Sequence, residues 1–443
     1  MLFHNPIFLF IFLPIVFFTY FYLIKLSTKA AQFALVASGV VFYAWWNVSL
    51  TPIIIISIIF NYFFGNLIKG SDNLSYKKLF LFISILSNVI YLAFFKYLDF
   101  IFENINFLFN TELNLLNMPF PLAMSFFTFQ TIAYLVDCYY KEIDKTTLRE
   151  YSIFIIFFPQ LIAGPIVTYN KMLPQFNDEK NKLINYRNLY LGLAVILIGL
   201  FKKIFLADNL SIIVSEGFLN HQNLDFFASW ISSLCFTFQI YFDFSGYIDM
   251  ATGIALLFNI KLPQNFNSPY KALGIINFWQ RWHMTLTMFL TNYIYYPWVK
   301  SLKKFNYLKT MIITFLVFVI AGVWHGPSWG YILFGSMHGL GLVINHTYKN
   351  FIKINLNKYV SWFITFNFIN VSFVFFRSKD IETTINILKS MVGINGYDYT
   401  FLLNQNITNI LILAGSFAIC LLFKNTNFLI ENFKPINLKK DFN

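Results

Sequence analysis

The chain is 443 residues long, 58% hydrophobic and only 12% charged, and it carries 58 phenylalanines. So little charge excludes a soluble domain; about 20 apolar residues cross one bilayer, and this composition describes a polytopic membrane protein. The net charge of +12 falls as lysines in short loops between apolar runs, a positive-inside topology signal and not a nucleic-acid-binding surface.

The first apolar segment, 6–24, has no small-residue cleavage site after it and more spans follow, so it is predicted as a retained helix and not a signal sequence. Further spans are predicted at 31–46, 50–68 and 79–95. Lys25 and Lys29, then Lys69, Lys77 and Lys78, mark cytoplasmic loops and place the N-terminus outside. Segment 98–118 holds Glu103 and Glu112 and reads as an interfacial helix and loop on the outer face. Segment 121–140 returns inward to Lys141, Lys145 and Arg149.

Segment 153–167 is too short for a span and is broken by Pro159, Gly164 and Pro165. A re-entrant hairpin fits it, because such backbone is tolerated only when buried in protein. Lys171, Lys180, Lys182 and Arg187 keep the next loop cytoplasmic. Full spans are predicted at 189–205 and 226–242, a half-span at 250–260, and a mixed loop at 261–277. A basic loop (Lys300, Lys303, Lys304, Lys309) precedes apolar segments 311–324 and 329–344, and spans 359–376 and 407–422 lead to a tail with Lys434, Lys439 and Lys440. The expected fold is an all-α integral membrane protein in one domain, 1–443, with about eleven transmembrane helices plus re-entrant and broken elements. Cys138, Cys235 and Cys420 are far apart inside apolar runs, which gives neither a disulfide framework nor a zinc spacing.

Chemistry concentrates in residues 321–346, an apolar run with His325, His338 and His346. An imidazole inside a bilayer is a functional candidate by default. His325 stands where Gly326 and Pro327 break the helix, between Trp324 and Trp329, and a broken membrane helix must line a cavity or be covered by protein. Imidazole titrates near neutrality and suits a general base acting on a hydroxyl. His283 ends the run F-W-Q-R-W-H (278–283), and two antiparallel elements can bring it to the same cavity as His325. His338, beside Gly335, Gly339 and Gly341, reads as packing polarity with a hydrogen-bond partner. Arg281 either snorkels to the interface or pairs with a buried acid, Asp243 or Asp249. No two histidines stand one turn apart, so no metal is expected. Residues 326–330 match G-x-S-x-G, but that motif needs a strand–turn–helix, and Ser328 reads as a helix cap instead.

Several ordered motifs resemble one family. They are F-Y-A-W-W-N (42–47), S-F-F-T-F-Q-T-I-A-Y-L-V-D (125–137), F-F-P-Q-L-I-A-G-P-I (157–166), F-D-F-S-G-Y-I-D-M-A-T-G (242–253), F-W-Q-R-W-H-M-T-L-T (278–287), G-V-W-H-G-P-S-W-G (322–330) and H-G-L-G-L (338–342). Together they resemble the membrane-bound O-acyltransferases, in the bacterial branch that acetylates alginate or peptidoglycan and D-alanylates teichoic acids. The resemblance implies helices around a central funnel or tunnel, with His325 at the family's essential histidine and His283 at its second functional polar residue. It implies an acyl thioester donor, acetyl-CoA, arriving from the cytoplasm as a substrate and not as a resident cofactor, and an extracytoplasmic glycan acceptor. His283, with Arg281, is expected to orient the thioester or stabilise its oxyanion, and Trp324, Asp243 and Asp249 to support the site. A separate exported acetyltransferase- or esterase-like partner is expected to receive the acetyl group, and this chain is expected in the inner (cytoplasmic) membrane of a bacterium. Where alginate-type members continue R-D-Y-L-Y-I-P-L-G-G, this chain has T-N-Y-I-Y-Y-P-W-V-K (291–300), which favours peptidoglycan over an alginate-like polymer. The rival readings are a transporter or flippase for a lipid-linked sugar, and a scaffold for the exported enzyme.

Overall fold

The computed structural model describes residues 2–302, 304, 306–398, 401 and 405–433. Lys303 of the basic loop and Lys434, Lys439 and Lys440 of the tail lie outside the described residues. Among the described residues every regular element is helical. Six helices among the described residues are long and apolar enough to cross a membrane: Phe8–Leu26, Val48–Gly70, Leu74–Phe109, Tyr186–Leu219, Tyr307–His325 and Lys358–Arg377. Ile407–Leu422 with Thr426–Asn432, bent by 47°, makes a seventh if taken as one span. The chain is thus a multi-pass membrane protein. The expected total of about eleven also counts shorter helices such as Thr28–Ala44 and Met124–Tyr139.

Polar residues punctuate the apolar runs. Asn47, Asn73, Asn306, Asn357 and Asn406 each accept a backbone N–H in the first turn of the helix that follows, supplying an acceptor where the helix itself has none. Two expected boundaries differ. Residues 98–109 are not a separate interfacial helix but the end of Leu74–Phe109. The loop after it folds back, Leu116 and Asn117 donating backbone N–H groups to the Asp99 carboxylate at 2.8 and 3.0 Å. The expected span 226–242 and half-span 250–260 are one helix, Phe226–Leu257.

The described chain divides into two compact units, Met1–Leu200 with Tyr247–Gln264 and Thr426–Asn443, and Phe201–Gly246 with Asn265–Asn425. In the first, Phe157 and Phe158 pack their rings on Phe258 at 6.4 and 5.9 Å. The expected break in 153–167 is present: Leu148–Ile156 ends at Phe157, a second short turn spans Phe158–Leu161, and the backbone between Tyr151 and Leu161 is buried. Two lysines read as loop signals lie over tyrosines, Lys69 5.8 Å from the Tyr134 ring and Lys77 5.5 Å from the Tyr139 ring, a favourable cation–π placement.

The second unit is organised by the hairpin of Tyr307–His325 and Trp329–Thr347. The two backbones touch at glycines. A Cβ on Gly335 would stand 2.4 Å from the Phe318 carbonyl oxygen and 2.8 Å from Gly322 Cα, and one on Gly322 would stand 2.4 Å from the Tyr331 carbonyl oxygen. Only residues without a side chain allow so close an approach, the device that membrane helices use to gain dispersion contact. Gly339, against Phe315, continues the contact, while Gly341 faces Phe368 and Ile275.

Candidate active site

The residues that come together at the candidate site, His283, Trp324 and His325, belong to the second unit. Segment 265–267 runs beside 281–284: the Met284 N–H donates to the Asn265 carbonyl at 2.9 Å and the Asn267 N–H to the Arg281 carbonyl at 2.8 Å. His283, between them, is held at φ 44°, ψ 50°, a left-handed conformation that costs a non-glycine residue about 1–2 kcal/mol. It is buried, with its ring edge-on to Phe244 at 4.9 Å.

Asn265 fixes the state of that ring. Its Oδ1 accepts from the Thr285 backbone N–H at 3.1 Å and the Thr285 hydroxyl at 2.9 Å, and lies 3.3 Å from His283 Nδ1. The backbone N–H can only donate, so the atom it meets is the amide oxygen and the orientation of the amide is settled. Nδ1 of His283 must then carry the hydrogen. In the neutral ring Nε2 holds the lone pair and accepts; it has no hydrogen to give an oxyanion.

His325 ends its helix, and Gly326 turns the chain in an extended conformation (φ 178°, ψ 168°) before Trp329–Thr347 starts. Ser328 occupies the cap position of that second helix, as expected, though without a side-chain cap bond. His325 is partly exposed in an aromatic surround: Trp324 at 5.0 Å, Phe376 at 5.1 Å, Phe334 at 6.0 Å and Tyr331 at 6.3 Å between ring centres. Buried Trp324 also lies 6.3 Å from the His283 ring. One indole therefore meets both imidazoles, and the structure brings His283, Trp324 and His325 together.

His338 is a different case. The Trp279 indole, a donor only, gives its hydrogen to His338 Nδ1 at 3.1 Å, so Nε2 carries the hydrogen and donates to Ser372 Oγ at 2.9 Å. Both ring nitrogens are satisfied and the residue is fully enclosed, which is the packing role its neighbours suggest.

Arg281 does not meet the expected acids. Its Nε donates to Asn277 Oδ1 at 3.2 Å and its Nη1 to the Asn267 carbonyl at 3.1 Å. Asp243 is taken by Lys203, 2.6 Å away, which also holds Asp208 at 2.9 Å. Asp249 belongs to the first unit, where it accepts from the Thr426 hydroxyl at 2.8 Å. Charges inside apolar helices persist when paired, and a lysine within a span supplies the nearer partner. Lys203 sits in the π-helical turn Phe201–Ala207. Sequence reasoning took Lys203 for part of an ordinary span, although an intramembrane lysine is itself a signal. It also missed Asn265, since one asparagine in a mixed loop has no spacing to mark it. Asn265 is 1% exposed, yet its Nδ2 has no hydrogen-bond partner among the described residues, an omission that costs about 1–3 kcal/mol in a protein interior.

The membrane-bound O-acyltransferase family model matches residues 139–378, a stretch that includes His283 and His325. The chain is 41% identical to a peptidoglycan O-acetyltransferase of Helicobacter pylori, over 98% of this chain and 90% of that protein. It is 29% identical to a probable alginate O-acetylase of Pseudomonas aeruginosa, over 93% of this chain and 78% of the relative. A teichoic acid D-alanyltransferase of Bacillus subtilis is 28% identical over 58% of this chain and 69% of its own length.

Proposed function

The chain belongs to the membrane-bound O-acyltransferase family and is an acyltransferase of a membrane; from that premise we propose that it moves acetyl from cytoplasmic acetyl-CoA to an extracytoplasmic cell-wall glycan, peptidoglycan. The observation that carries the chemistry is the convergence of His283 and His325 on Trp324 at a helix break. The choice of glycan rests on the 41% identity, across nearly the whole chain, to the peptidoglycan O-acetyltransferase of Helicobacter pylori.

In this reading His325 is the general base. The acceptor hydroxyl oxygen attacks the thioester carbonyl carbon while His325 takes the hydroxyl proton. The new C–O bond forms, the C–S bond breaks, and the proton on His325 passes to the departing thiolate. General-base assistance of this kind is worth about 10²–10⁴ in rate. His283 orients: its Nδ1 hydrogen is committed to Asn265, and its Nε2 accepts a hydrogen bond from a bound reactant. The aromatic surround of His325 limits water, protecting the thioester from hydrolysis. Acetyl-CoA enters as a substrate, and a separate exported protein receives or completes the transfer in the periplasm of a bacterium, with this chain in the inner membrane.

The test is the O-acetyl content of peptidoglycan in cells carrying wild type, His325→Ala or His283→Ala, with membrane levels matched. Loss of acetylation in His325→Ala with the protein inserted is the expected result. Acetylation that depends on the chain but survives His325→Ala would sink the catalytic reading, and peptidoglycan acetylation independent of the chain would redirect the choice of polymer.

A further inference from the structure

We propose that Asn265 is a catalytic residue, its Nδ2 donating to the carbonyl oxygen of the acyl donor and to the oxyanion that forms from it. This rests on the acyl-transfer reading above. Three observations lead to it. The Asn265 side chain is locked, because its Oδ1 takes the Thr285 N–H, the Thr285 hydroxyl and the His283 Nδ1 hydrogen. Its other end, Nδ2, is a buried donor with no partner among the described residues. And the neutral His283 ring, turned by that same amide, has only a lone pair at Nε2, so it cannot be the donor that a developing oxyanion needs.

A donor that is enclosed, immobile and unspent is what an oxyanion requires. It suffers no reorganisation during reaction, and water does not compete for it. The amide then has two tasks at opposite ends: its oxygen sets the tautomer of His283, and its nitrogen holds the carbonyl of the reactant. The hydroxyl attack, the C–S cleavage and the proton path through His325 are unchanged; Asn265 neither gains nor loses a proton.

Asn265→Asp separates the two ends. It keeps an acceptor for His283 and Thr285 and removes the Nδ2 donor. With purified wild type, Asn265→Asp and His325→Ala in one assay on acetyl-CoA, Asn265→Asp is expected to lose about 10²–10³-fold in kcat with KM little changed. A methyl-ketone analogue of acetyl-CoA, which cannot transfer its acyl group, gives a second readout. Its carbonyl stretch is expected to fall on binding to wild type and to return towards the aprotic value in Asn265→Asp. Full activity of Asn265→Asp beside an inactive His325→Ala overturns this assignment alone. A wild-type complex whose carbonyl absorbs as in an aprotic solvent does the same without any variant. A wild type that neither binds the analogue nor turns over acetyl-CoA overturns the acyl-transfer reading itself.

Discussion

Two histidines of the second unit differ in what they can do, and the difference lies in their partners. His338 is spent: an indole hydrogen enters one ring nitrogen and a serine oxygen accepts from the other. Trp279→Phe leaves Nδ1 buried and unpaired, and we expect a loss of about 1–3 kcal/mol, read as a lower melting temperature of the detergent-extracted protein. His325→Ala is expected to melt near wild type and to lose activity, since His325 is partly exposed at a helix end. If the two variants exchange these phenotypes, the division of roles is wrong. The sequence made both histidines visible as imidazoles in an apolar run. It also distinguished them, because the glycines around His338 signal packing and the Gly326–Pro327 step signals a break. Asn265 was not legible, because its importance arises from two hydrogen-bonded segments that only the folded backbone brings side by side.

At the scale of elements, the hairpin of Tyr307–His325 and Trp329–Thr347 is the part that sets the position of His325, and its closeness depends on Gly322 and Gly335. Gly335→Ala places a methyl group against backbone that cannot move aside, so the helices must separate. The expected cost is about 1–3 kcal/mol, with a fall in transfer rate because the ring of His325 shifts relative to Tyr331 and Phe334 on the second helix. A melting curve and an acetyl-transfer assay on the same preparation check both; unchanged values for each would show that the contact is slack. Most helices were readable from apolar runs: Ile407–Leu422 and Lys358–Arg377 lie within a residue of expectation. The helix Phe226–Leu257 was not: the polar stretch 243–249 lies between the expected span 226–242 and half-span 250–260, yet the helix runs through it. Polar side chains do not stop a helix when they find partners, and here Lys203 and Thr426 supply them.

For the whole molecule, the sign of the loops predicts orientation. The cysteines Cys138, Cys235 and Cys420 are free and buried, so a single introduced thiol can report topology with little background. Asp72→Cys, in the exposed turn between Val48–Gly70 and Leu74–Phe109, is expected to react with a membrane-impermeant maleimide only after the cells are opened. Labelling of intact cells reverses the assigned orientation. The cluster of Lys203 with Asp208 and Asp243 has a consequence for how such a chain diverges. One cation tied to two half-exposed anions leaves no single exchange without effect: losing the lysine removes the shared partner of both carboxylates, and losing Asp243 alone frees half of the lysine's hold. Lineages are therefore expected to keep the trio intact or to discard it in concert, through intermediates tolerated only where the membrane or a neighbouring side chain can lend a charge for a while.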